Sequence, residues 1–234
     1  VFVHGWSCRR DFWREQFALA SDHRVIALDL AGQGPLDAGV PRRTGASMDA
    51  FASDVETVMD HAGVSEAILV GHSMGGAVAL EAALRLGSRC RAVLGVDTFT
   101  DARFYRRRPD DEIAERCARF AAAFRAEMTR MVAAITAPQT PSELTQSIAD
   151  AMSATRVADA IDALRALLAW DIGERWPLVR VPVATINASL LESPAHAIAL
   201  AGLEMHAMDG VGHFPMLEAP ARFNALVRAL TTRA

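Results

Sequence analysis

Short apolar runs alternate along the chain with stretches whose apolar residues recur at helical spacing. Together the two periods predict an α/β fold, a mostly parallel central sheet with helices on both faces. Strand-length runs stand at Val1-Phe2-Val3, Val25 to Leu28, Ala67 to Val70, Ala92 to Val96, Val181 to Ile186 and Leu203 to Met208. Helical stretches fall between them. Asp11 to Ala20 is one; Met48, Phe51, Val55, Val58 and Met59 mark the buried face of another, which starts at Ser47 and stops at Gly63. A third follows Ser73 and ends near Gly87, and a last one carries Phe223, Leu226, Val227 and Leu230.

From about Thr98 to Trp176 the strand signal disappears. The sequence there is rich in alanine, arginine and methionine, keeps helical spacing, and breaks at Pro109, Pro138 and Pro141. Residues 98–176 therefore read as a helical cap inserted over the carboxyl edge of a sheet built from residues 1–97 and 177–234. The cap carries Phe99, Phe104, Tyr105, Phe120, Phe124, Trp170 and Trp176, with Met128, Met131 and Met152. Most of these pack cap helices together; some line a pocket for an acyl or aromatic group.

Composition narrows the classes. With 234 residues, 51% of them hydrophobic and 22% charged, the chain is long enough for one globular domain with a full core. A net charge of −4 offers nothing to nucleic acid, and the one dense basic cluster, Arg106-Arg107-Arg108, reads as a solvated loop. No apolar run approaches the ~18 residues that cross a bilayer, so no membrane partner is expected. Cys8, Cys90 and Cys117 lie far apart without metal-like spacing. Their odd number argues against a disulfide framework and for a cytoplasmic protein.

Chemistry enters at Gly71-His72-Ser73-Met74-Gly75-Gly76. This G-x-S-x-G stretch stands between a strand and a helix, the context in which it forms a nucleophile elbow. A serine hydroxyl needs a base to take its proton, and His213, between the last strand and the last helix, sits at the sheet edge where the elbow also lies. His72 points away from Ser73 and supports the elbow, whereas His23, His61, His196 and His206 read as surface or strand-end residues. The oxyanion formed on attack needs two backbone donors. Met74 N–H, at a helix N-terminus, is one; Trp6 N–H, in the turn His4-Gly5-Trp6-Ser7, is the other. His4, Gly5, Phe99 and Phe214 are expected to border the substrate, while Cys8 reads as a small buried filler. Glycines at 32 and 34 do not make a phosphate loop, because no lysine follows in frame.

These segments resemble the α/β-hydrolase fold family. The resemblance rests on the His-Gly turn at His4-Gly5-Trp6, the loop Asp29 to Gly34, the elbow Gly71 to Gly75 and the terminal Gly212-His213. It covers almost the whole chain outside the cap. It implies a sheet of about eight strands, a mobile cap, and hydrolysis with no metal and no organic cofactor. Family members begin with two strands ahead of the His-Gly turn, for which there is no room after Val1, so further residues upstream are expected. Without them the strand Val25 to Leu28 is an open sheet edge that invites a homodimer.

The family's commonest place for the triad acid, after the strand that follows the cap, reads Asn187-Ala188-Ser189-Leu190-Leu191-Glu192. A minority of the family places the acid one strand earlier, where this sequence has Asp97. Asp97 is accordingly the expected partner of His213, with Glu192 and then Asp209 as alternatives, in which case Asp97 caps the first turn of the cap. The resemblance implies a serine hydrolase of the carboxylesterase type acting on small to medium acyl esters. A lactone, a thioester or the C–C bond of a diketone is an alternative substrate, and a weakly catalytic ligand receptor is an alternative role. Haloalkane and epoxide chemistry fits less well, since those relatives place a carboxylate where Ser73 stands.

Overall fold

The computed structural model describes residues 1–34, 39, 42, 45–191 and 194–232. Six parallel strands form its sheet: β1 (Phe2–Val3), β2 (Ala27–Leu28), β3 (Ala67–His72), β4 (Cys90–Val96), β5 (Val183–Ala188) and β6 (Glu204–Met208). Their order is β2-β1-β3-β4-β5-β6. The central strands read as continuous apolar runs because helices cover both faces, and β4 is buried at every position except Arg91.

Helix α1 (Met48–His61) starts where Ser47 accepts the Ala50 N–H on its hydroxyl at 3.0 Å. Its buried residues, Met48, Phe51, Ala52, Val55 and Met59, form the predicted stripe. Helix α2 (Met74–Leu86) follows β3 and is buried nearly all round, consistent with its run of alanines. Between β4 and β5 run α3 (Ala102–Tyr105), α4 (Asp110–Ala122), α5 (Phe124–Ile135), α6 (Ser142–Ser153), α7 (Val157–Leu168) and α8 (Ile172–Arg175). Two indole N–H groups tie this helical stretch to the sheet layer. Trp6 Nε1 donates to the Ala160 carbonyl at 2.6 Å, and Trp170 Nε1 donates to the buried Glu81 carboxylate at 2.7 Å. The chain closes with α9 (Pro215–Glu218) and α10 (Pro220–Thr231).

Register decides where chemistry can gather. His72 of β3 lies beside Val96 of β4, which lies beside Ile186 of β5. The next residues, Ser73 and Asp97, therefore leave the sheet side by side at its carboxyl edge, where open α/β sheets bind ligands. Their amides prolong the ladder, Ser73 N–H to Val96 O at 2.9 Å and Asp97 N–H to Ile186 O at 2.8 Å.

Several expectations shift. Among the described residues the sheet has six strands, where the resemblance implied about eight. The strand expected over Val25 to Leu28 is reduced to Ala27–Leu28, at one edge of the sheet. The stretch Arg10–Ser21 winds as a 3₁₀ helix, and β5 runs two residues later than its apolar run suggested. No helix among the described residues is long and apolar enough to cross a membrane.

Candidate active site

Ser73 sits at the turn between β3 and α2 with φ 52°, a left-handed conformation that is costly for a residue with a Cβ. Small neighbours permit the turn: a Cβ on Gly71 would stand 2.2 Å from the Gly75 carbonyl oxygen. Thr98 Oγ1 donates to the Ser73 carbonyl at 2.9 Å and Gly76 N–H donates to it at 2.8 Å, so the strained residue is held from both sides.

Asp97 is left-handed as well, at φ 47°, and Phe99 follows at φ 75°. Asn187 braces this second strained turn. Its Oδ1 accepts the Thr98 N–H at 3.2 Å and the Thr185 hydroxyl at 2.6 Å, and its Nδ2 donates to Thr98 O at 3.3 Å and Thr100 Oγ1 at 2.9 Å. The Asp97 carboxylate is divided between two partners. Oδ1 accepts the Ala188 N–H at 2.9 Å, and Oδ2 meets Nδ1 of His213. Asp97 and His213, 116 positions apart in sequence, are thus a hydrogen-bonded pair.

The His213 loop is fixed from beneath. His213 N–H donates to Ile135 O at 2.7 Å, and a Cβ on Gly212 would stand 2.3 Å from that same oxygen, so the loop presses on the end of α5. His72 Nε2–H donates to the His213 carbonyl at 2.8 Å, with the two rings 4.7 Å apart. Burial holds His72 well below the usual histidine range and the neighbouring His213 lowers it further, so His72 is a neutral strut.

Ser73, Asp97 and His213 face one cavity of about 410 Å³, whose lining also includes Trp6, Tyr105 and Arg116. Tyr105, the only tyrosine of the chain, is buried at its wall. Burial pushes its phenol up, against hydrogen bonds with the Thr98 and Ser73 side chains that pull the other way. Among the described residues His213 has no hydrogen bond to Ser73; the hydrogen bond of its ring is the one from Nδ1 to Asp97. Catalytic contacts of this kind commonly close only when substrate arrives.

Of the expected pocket residues, Phe214 borders the cavity and three do not. The His4 ring is fully buried, donating from Nδ1 to Gly5 O at 2.8 Å and accepting Leu30 N–H on Nε2 at 3.0 Å, so it ties the first turn to the one after β2. Gly5 packs under the His72 ring, 2.9 Å from where its Cβ would be. Phe99 folds down over Gly95 on the sheet. Cys8 lines the cavity, and burial raises its thiol so that it stays protonated. Of the alternative acids, Asp209 is exposed and accepts the Ser189 hydroxyl at 2.6 Å, while Glu192 lies outside the described residues. Met74, buried, opens α2, where the helix itself offers its N–H no acceptor.

Four residues of the site escaped sequence reasoning: Asn187, Glu218, Tyr105 in its contact with Ser73, and Arg116. Asn187 had a readable signal, a polar residue at the end of an apolar strand. Glu218 accepts the amides of Gly212, at 2.9 Å, and Phe214, at 3.0 Å, on either side of His213. Only its spacing from His213 hinted at that.

Over residues 1–226 the sequence matches the alpha/beta hydrolase family. It is 41% identical over 81 residues to a bifunctional esterase/perhydrolase of Acinetobacter calcoaceticus, a match covering 32% of this chain and 27% of that one. Matches to other curated relatives span 22%, 36% and 24% of those proteins. Among solved structures, a thermophilic esterase from Thermogutta terrifontis superposes with a TM-score of 0.84 at 22% identity, over 99% of this chain and 88% of that one. An enol-lactonase from Burkholderia xenovorans LB400 superposes with 0.82 at 21% identity, over 99% and 90%. With the family matched over nearly all of its length, and its strands, elbow and parallel sheet in place, the chain belongs to the alpha/beta hydrolase family.

Proposed function

We propose that this hydrolase cleaves carboxylic esters of small to medium acyl chains through an acyl-enzyme. One observation carries the reading: the Asp97–His213 pair opens onto the same cavity as a serine held at a strained elbow. Ser73 Oγ attacks the ester carbonyl as its proton passes to His213 Nε2. Asp97 on Nδ1 fixes the tautomer and stabilises the imidazolium. The N–H groups of Trp6 and Met74 hold the oxyanion, a contribution of roughly 2.7–4 kcal/mol for each such donor. Collapse expels the alcohol, which takes the proton back from His213. Water then enters by the same route and releases the acid.

A p-nitrophenyl ester panel from acetate to decanoate, run with Ser73→Ala, tests this. Turnover lost in Ser73→Ala, together with mass labelling of Ser73 by a fluorophosphonate, is the expected outcome. A wild-type protein inert toward every acyl substrate overturns it.

A further inference from the structure

One charge in the cavity has no counterpart among the described residues. Arg116, on α4, lines the same space as Ser73, and its guanidinium carbon lies 4.5 Å above the Phe104 ring. Its Nε is shut off from solvent and has no hydrogen-bond partner, and no carboxylate among the described residues comes within ion-pair distance of it. The neighbouring arginines are all matched. Arg103 grips Asp101 with contacts of 3.0 and 2.6 Å, Arg108 is paired with Glu112, and Arg119 reaches Glu127 at 3.4 Å. Asp101 is spent on Arg103 and on capping α3 through the Arg103 N–H at 2.8 Å.

Such an arrangement is costly. Desolvation acts against the Arg116 cation, and Arg119, Arg103 and Arg108 add repulsion that Asp101 only partly offsets. Arginine nevertheless keeps its proton in proteins, so the cost appears as a positive potential in the cavity and not as a neutral side chain. Stacking on Phe104 occupies one face of the guanidinium, and with Nε shut off from solvent the two terminal amino groups are the donors left for a ligand. A planar fork of this kind matches a carboxylate, with two parallel hydrogen bonds. The apolar part of the lining, with Phe120, Met131, Ile135, Leu164 and Leu167, suits a hydrocarbon spacer between the reacting ester and that anion.

We propose that Arg116 is a carboxylate-recognising residue and that the preferred substrate is an ester bearing a free carboxylate away from the scissile bond. The proposal rests on the ester-hydrolase reading above, and its substrates follow from it. Monomethyl esters of C4 to C7 dicarboxylic acids place the charge on the acyl side, and acetoxy-alkanoates place it on the alcohol side. Each is compared with the neutral ester of the same length. The expected preference of the wild-type protein for the anionic member of one series is roughly ten- to hundredfold in kcat/KM, the range for a hydrogen-bonded charge. In Arg116→Gln this ratio falls toward one, and in Arg116→Lys it is partly kept, because an ammonium lacks the fork. Equal rates for charged and neutral esters in the wild type, or a ratio untouched in Arg116→Gln, overturn the assignment.

Calorimetric titration with the free C4 to C7 dicarboxylates separates the two readings. Binding to the wild type and to Ser73→Ala, lost in Arg116→Gln, alongside no turnover of any ester, retains the carboxylate site and removes the ester hydrolase. Ester turnover without charge preference and without dicarboxylate binding does the reverse. Methyl phosphate binding more tightly than every dicarboxylate overturns the carboxylate assignment in favour of a phosphate.

Discussion

The Glu218 carboxylate accepts the Phe214 N–H at 3.0 Å, and through its second oxygen it also takes the N–H of Gly212 at 2.9 Å, so it grips the chain on both sides of His213. That second oxygen further accepts Ala137 N–H at 2.9 Å and the Thr140 hydroxyl at 2.6 Å, joining the His213 loop to the α5–α6 connection. One side chain therefore sets both the height of the imidazole and the position of the helical stretch above it.

Glu218→Ala should leave four donors without their acceptor, a loss of about 2–3 kcal/mol for hydrogen bonds to a charged group. Glu218→Gln retains one carbonyl oxygen and should lose less. The expected signature is a fall in kcat larger than the fall in folded population, measured by urea denaturation beside ester kinetics. A variant that loses stability while kcat per folded molecule is unchanged makes Glu218 a purely structural clamp.

Asp97→Asn keeps the shape of the side chain and its bond from the Ala188 N–H on Oδ1, but presents the wrong group to His213 Nδ1. Turnover should fall by ~10⁴-fold with little change in thermal midpoint. Glu192→Gln, made in parallel, should remain close to wild type; the opposite result moves the acid role to Glu192.

Much of this was legible in the sequence because it follows from local rules. The elbow needs small residues around Ser73, the central strands need continuous apolar runs, and Ser47 announces the start of α1. Asp97 was legible only by analogy with a minority of relatives, because its pairing with His213 is made across 116 positions. The supports were hidden for the same reason: Asn187, Glu218 and Arg116 act through loops distant in sequence, and their residue types are ordinary at surfaces. The pocket expectations for His4, Gly5 and Phe99 failed because nearness in sequence to a turn of the candidate site does not fix which way a side chain faces. His4 satisfies the backbone behind the turn, and Phe99 follows its left-handed backbone down onto the sheet.

Trp6 combines a backbone group proposed for the oxyanion with an indole that donates to Ala160 O at 2.6 Å and meets the Phe120 ring edge-on at 5.0 Å. Trp6→Phe keeps the backbone donor but removes the tie to α7. KM should rise several-fold while kcat changes less than threefold, since the loss is in cavity shape and not in transition-state charge. A fall of 10²-fold or more in kcat with KM constant would contradict the assignment of the side chain to shape.

His4 and His72 link stability to pH. Burial lowers both below the usual histidine value of 6.5, and each ring is committed as a neutral group, His4 accepting Leu30 N–H and His72 donating to His213 O. The folded protein therefore refuses a proton that the unfolded chain accepts. Stability is complete above about pH 6.5 and falls as pH drops below it, by up to ~1.4 kcal/mol per pH unit for each ring. Urea unfolding at pH 7.5 and 5.5 should show a loss of about 2 kcal/mol, and His72→Gln should flatten the slope by roughly half, because its amide can still donate to the His213 carbonyl but does not titrate. Carboxylates that lose their partners at lower pH contribute mainly below about pH 5, outside the interval chosen. A wild-type protein equally stable at both values would mean that protonation of these rings is tolerated in the fold, and that the neutral strut under His213 is not required.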